Sequence, residues 1–276
     1  MSAESEGREA AERFRKQHRL GVQPLGDLVT LIEQTVGADV AVLDTDVDQH
    51  GVTMRRGDMG RVYIAVARTT RPMRQRSTLA HELAHVVFDD WSSEPEVDST
   101  SPTESRANSF ARHLLLPLQG VSDLVAEGGR GGELVMLSTV VQRFLVSPQI
   151  AAIALAQIGF IDEVTKRQFM SETTPRLAAR FGWSDQYQAM QLESNRRRAP
   201  QRLLARAISG WLQNAVSIQT IALLRGLDPA TVEKELTEAG LAPAELTPAW
   251  NDPADLPEAG IDLAELDFDL GDGGTE

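Results

Sequence analysis

The chain has 276 residues, 42% hydrophobic and only 5% aromatic, enough for one large domain or two small ones with real cores and too many for a disulfide miniprotein. It contains no cysteine, which excludes disulfide frameworks, iron–sulfur clusters, thiolate zinc fingers and cysteine nucleophiles; any metal must sit on His, Asp, Glu or backbone oxygen. The net charge of −13 is unevenly placed, because residues 241–276 hold ten carboxylates and no Lys or Arg, leaving 27 basic against 30 acidic residues in a nearly neutral body.

Met1 to Leu20 is charged throughout with no apolar h-region, and no apolar run reaches membrane-spanning length, so a soluble cytoplasmic protein with no membrane contact is expected. Ser2 to Gln17 reads as a solvated or fraying helix, and Leu25 to Val36 as a helix that stops at Gly37. Val40 to Leu43, Val52 to Arg55 and Arg61 to Ala67 are short β-branched runs that predict a small sheet of strands and hairpins. Met73 to Phe88 predicts a helix, Ser92 to Pro102 a loop, and Thr103 an N-cap for a helix over 104–116 that ends at Pro117. Helices are expected over 134–145, 148–158 and 162–169, then a polar stretch, 171–198, without an assignable pattern. Further helices follow over 201–213, 218–224 and 229–240, with Asp228 as N-cap before Pro229. The last segment holds four prolines and an acidic, apolar stretch, Ile261 to Leu270, and is expected to be disordered alone.

The chemistry concentrates in His81-Glu82-Leu83-Ala84-His85. Two histidines four apart project from one helical face within reach of a single Zn2+ ion, and the Glu beside the first is placed to hold a water there. With five His in the chain, an accidental match is expected at roughly half a percent, so two unrelated histidines on an ordinary helix is the weaker reading. A catalytic zinc site needs a third protein ligand and an open fourth position. Glu104, at the start of the helix after the loop, is the preferred candidate over Glu94, Glu96 and Asp98, which no helix would hold. Asn108, one turn further on, is placed to accept the outer N–H of a ligating imidazole. His113 lies on the opposite face, as a surface or packing residue.

Arg76-Ser-Thr-Leu-Ala-His81-Glu-Leu-Ala-His85, followed by Glu104-Ser-Arg-Ala107-Asn108-Ser-Phe110-Ala111 and Leu114-Leu-Leu-Pro117, resembles the ImmA/IrrE family of bacterial zinc metallopeptidases, with weaker similarity through Arg143 to Pro148 and on to Asp162. Ala84 departs from the Gly that the family often carries before the second His. The resemblance implies one zinc per chain on His81, His85 and Glu104, and a role in cutting a helix-turn-helix repressor to switch on mobile-element or stress genes. The predicted elements together give an α+β fold, a small mixed or antiparallel sheet packed on a zincin-like HExxH helix. An all-helical C-terminal part and the acidic tail would follow, divided as 1–23, 24–170, 171–240 and 241–276.

In that mechanism Glu82 is the general base. The strand over 61–67, with Tyr63, Ile64, Ala65 and Val66, is expected as the edge to which an extended substrate adds, and Tyr63, His50 and Tyr187 are the candidates for stabilising the oxyanion. Ser217 to Leu236 outlines a helix-turn-helix whose second helix would show an acidic face, so packing or partner docking is favoured over DNA binding. Arg196 to Arg198 reads as a solvated linker or a clasp for an acidic partner. The alternative to a peptidase is a non-catalytic regulator that binds a repressor or DNA through its helical half and uses zinc structurally; a base beside the ligand argues against it.

Overall fold

The computed structural model describes residues 2–45, 51–56, 60–91, 101–128 and 131–245. The fold is α+β, with a three-stranded mixed sheet in the first third and helices elsewhere. Helices α1 (Ala3–Gln17) and α2 (Leu28–Thr35) lead into β1 (Asp39–Leu43), β2 (Val52–Arg56) and β3 (Arg61–Ala67). The spatial order is β1-β3-β2: β1 runs parallel to β3, with Val40 opposite Ile64, and β2 runs antiparallel to β3, with Thr53 opposite Ile64.

The strand expected as the open edge, 61–67, is therefore the central one. Both of its sides are already paired, so Tyr63, Ile64, Ala65 and Val66 have no free main-chain groups for a substrate strand, and Ile64 and Val66 are buried. The parallel β1–β3 pair, formed across the intervening β2, is a non-local arrangement that strand-by-strand reading does not resolve. The far edge of β1 is partly closed by Arg198, whose backbone exchanges hydrogen bonds of 2.8 and 3.0 Å with Val42. Arg198 also pairs with Asp27 at 2.8 Å and donates to Thr30, while Arg196 and Arg197 stay exposed.

Helix α3 (Pro72–Phe88) lies on the face of the sheet that carries Ile64 and Val66, burying Leu79, Ala80, Leu83 and Ala84 against them. Pro72 opens it at a position where the missing N–H costs nothing, and Asp89, in the left-handed region at φ 56°, closes it. Arg76 anchors it from the side, donating to the carbonyls of Leu25, Gly26 and Leu145. Helix α4 (Pro102–Leu115) packs beside α3. Its N-cap is Ser101, whose hydroxyl accepts from the Glu104 N–H at 3.2 Å; Thr103 falls inside the helix because Pro102 already takes the first helical position.

The amino-terminal segment is not the solvated helix its composition suggests. Gly7, Ala10, Ala11 and Phe14 are buried against α4, the small residues permitting close approach. Arg15, also buried, donates to the carbonyls of Gly21, Gln23 and Leu114. Behind the pair come α5 (Leu118–Ala126), α6 (Glu133–Phe144), α7 (Pro148–Gln157) and α8 (Glu163–Phe169). The stretch without a sequence pattern holds α9 (Thr174–Phe181) and α10 (Ser184–Ser194), and its Leu177, Trp183 and Tyr187 join the main core. A second, smaller apolar cluster unites α11 (Gln201–Leu212), α12 (Ile218–Arg225) and α13 (Pro229–Glu238) around Trp211, Ile221, Val232 and Leu236. No single described helix is long and apolar enough to cross a membrane. The expected disordered segment falls almost wholly on residues 246–276, outside the described residues.

Candidate metal centre

The two histidines of α3 face the first turn of α4. His81 Nε2 and His85 Nε2 are 3.1 Å apart, and the Glu104 carboxylate reaches them at 3.1 Å (Oε2 to His81) and 3.5 Å (Oε1 to His85). Three ligand atoms on a tetrahedron with bonds of about 2.0–2.1 Å stand about 3.3 Å apart, so these spacings fit one zinc ion with a fourth corner left open. His81, His85 and Glu104 are each between 15% and 19% exposed, sheltered yet reachable. Among the described residues they are the one group of three or more such side chains that converges in this way. Glu94, Glu96 and Asp98 lie outside the described residues.

Each outer nitrogen faces an oxygen, one of them at hydrogen-bond distance. His81 Nδ1–H donates to Asn108 Oδ1 at 3.0 Å, which keeps the bare Nε2 facing the site. His85 Nδ1 looks towards Asp90 Oδ2 at 3.8 Å. One proton can bridge the two Nε2 atoms at this distance, and one cation can replace it, because the donor set of two imidazoles and a carboxylate matches what zinc accepts.

Glu82 is on the sheet side of the same helix, 4% exposed. Thr53 of β2 donates its hydroxyl proton to Glu82 Oε2 at 2.6 Å. Burial pushes the Glu82 carboxyl above its ordinary value; the Thr53 bond and the His81 and His85 charges pull it down, and Glu104 pushes it up. A carboxylate so placed is a stronger proton acceptor than one in water. Gly51 passes directly over it: a Cβ there would stand 2.6 Å from Glu82 Oε1, so only glycine lets β2 enter at this height.

Of the three oxyanion candidates, none is brought to the centre among the described residues. Tyr63 sits on the sheet face opposite Ile64 and α3, paired with Met54. Tyr187 is buried edge-on against Trp183, and His50 lies outside the described residues. His113 is buried and bonded to Glu4 at 3.0 Å, away from the metal ligands.

Thr53, Gly51 and Asp90 escaped the sequence reading. Thr53 shows only as one inward position in a five-residue strand, and Asp90 follows the end of the zinc helix, where no periodicity reports on it. Among the described residues no strand pairs with the outer side of β2, whose Val52 and Met54 are 48% and 55% exposed.

A comparison with curated proteins returns no match for the chain. The family Peptidase_M78, described as the IrrE N-terminal-like domain, matches residues 37–156. That span contains the sheet, both histidines, Glu82, Asp90, Glu104 and Asn108, and over it the chain is similar to the domain of this peptidase family, in agreement with the resemblance of its motifs to ImmA/IrrE.

Proposed function

We propose that the protein is a cytoplasmic zinc-dependent endopeptidase whose substrate is a helix-turn-helix transcriptional repressor, cut to release mobile-element or stress genes. The observation that carries the hydrolytic reading is Glu82, a buried carboxylate held by Thr53 on the helix that also presents His81 and His85. A purely structural ion needs no such base. His81, His85 and Glu104 would hold the metal, which when bound supplies Lewis acidity that lowers the pKa of water towards about 7 and polarises a carbonyl. Glu82 takes the proton from the attacking water and returns it to the leaving amine. Asn108 holds the His81 ring in the tautomer that leaves Nε2 bare.

The substrate would lie extended along β2, the outer strand of the sheet among the described residues, beginning beside Thr53 and Glu82. The repressor as target rests on the family resemblance. The helix-turn-helix outline at α12 and α13 is a packing or docking module: the exposed face of α13 has Glu233, Glu235 and Glu238 against a single Lys234, a poor match for phosphate.

The test is co-expression with the repressors encoded beside the gene. The wild type should shorten one of them, while Glu82→Gln keeps its metal, leaves the repressor whole and lowers cleavage by about two to four orders of magnitude. Equal cleavage by the two proteins would overturn the peptidase reading and favour a non-catalytic regulator.

A further inference from the structure

We infer that the amino-terminal helix is a working part of the metal centre, with Glu6, through Arg106 and Asp90, positioning His85 for zinc. The inference rests on the reading of His81, His85 and Glu104 as the metal ligands, and joins residues inside the family match to one before it, since α1 lies wholly outside 37–156.

The contacts form a relay. His85 Nδ1 faces Asp90 Oδ2 at 3.8 Å, longer than a hydrogen bond, and with Nε2 on a metal the Nδ1–H would point towards this carboxylate. Asp90 is gripped at both oxygens by Arg106 Nη2, at 2.8 and 3.0 Å. The other terminal nitrogen of the same guanidinium, Nη1, donates to Glu6 Oε1 at 2.8 Å, and its plane rests over the Phe88 ring, 4.2 Å from the centroid. A guanidinium with two carboxylates and one aromatic face has little freedom left.

Glu6 is held in place by its neighbour. A Cβ on Gly7 would stand 2.5 Å from the Arg106 carbonyl oxygen and 2.8 Å from the Phe110 nitrogen, so the α1 backbone touches α4 at Arg106 itself. Ser109 donates to the Glu4 carbonyl at 2.7 Å one turn earlier. The helix is thus locked in register with α4, whose other side carries Glu104 and Asn108. Carboxylates behind ligating imidazoles raise ligand basicity and fix the ring, and their loss weakens metal affinity by about 10–100-fold.

The experiment is zinc affinity by chelator competition on the full-length protein, with the melting temperature of the zinc-free form recorded beside it. Asp90→Asn should weaken zinc about 10–100-fold, and Glu6→Gln by a smaller factor of about three to ten. In the Asp90→Asn background, Glu6→Gln should cost nothing further. Glu12→Gln, an exposed change on the same helix, should leave zinc affinity unchanged. Wild-type affinity in Glu6→Gln, or losses that simply multiply in the double variant, overturns the relay. An equal loss in Glu12→Gln shows a general effect of the helix and overturns it as well. Zinc affinity that survives His85→Ala overturns the metal reading and this inference together, whereas loss in His85→Ala with none in Glu6→Gln overturns the inference alone.

Discussion

Thr53 and Glu82 meet across a gap that one hydroxyl fills. Thr53→Val keeps the shape and removes the proton, leaving the carboxylate free to turn. Cleavage should fall about tenfold with zinc content unchanged, and Thr53→Ser should restore most of it; single-turnover rates of the three proteins check this, and equal rates would remove Thr53 from the machinery. Gly51→Ala should do more harm, because a methyl 2.6 Å from the Glu82 oxygen must displace either the base or β2. At this scale the candidate metal ligands are the most legible part of the chain: the His81–His85 interval is the helical repeat itself, and Glu104 stands out as the acid that opens the next helix. Thr53 and Asp90 are not legible, since each acquires its meaning from a partner 29 or 5 positions away whose approach is set by tertiary packing.

The elements carry the same division. Helices α3 and α13 follow from apolar spacing and from Pro at the first turn, and Asp228 caps α13 as its position predicts; α4 follows from its spacing, though it begins at Pro102, which the sequence leaves in the loop. The sheet order does not follow, because strands of five and seven residues look alike whether they lie at an edge or in the centre. Nor does the docking of α1, whose buried face is made of Gly7, Ala10 and Ala11 rather than of large apolar residues.

That docking has a pH dependence with a definite sign. Burial raises the Glu4 carboxyl, but hydrogen bonds from Arg112 and His113 outweigh it and lower it from 4.5 to about 2. A carboxyl depressed in the folded state contributes stability that is present above 4.5 and lost as the pH falls towards about 2. His113, kept below its ordinary 6.5 chiefly by burial, also favours the folded state at higher pH and acts in the same direction. Glu4→Gln should therefore lower the melting temperature at neutral pH, and the difference from wild type should close between pH 4.5 and about 2. A difference that stays constant across that window would show that the ion pair contributes nothing.

Over the whole molecule, the described residues build two apolar clusters of unequal size, one around the metal domain and one within α11 to α13. Arg202 of α11 pairs with the buried carboxylate of Asp39 in β1, and Arg198, just before α11, pairs with the half-exposed Asp27, so ion pairs tie the start of the smaller cluster to the larger. Trp211→Ala should cost the small cluster about 3–5 kcal/mol and melt α11 to α13 first, leaving zinc content at its wild-type value; a single transition with lost zinc would show that the two clusters fold as one. The central claim is that His81, His85 and Glu104 hold one zinc that Glu82 uses to hydrolyse a peptide bond. It is tested most directly by adding zinc stepwise to the metal-free protein and measuring repressor cleavage: the rate should rise linearly and level off at about one zinc per chain, whereas full cleavage without zinc, or none at full occupancy, would contradict it.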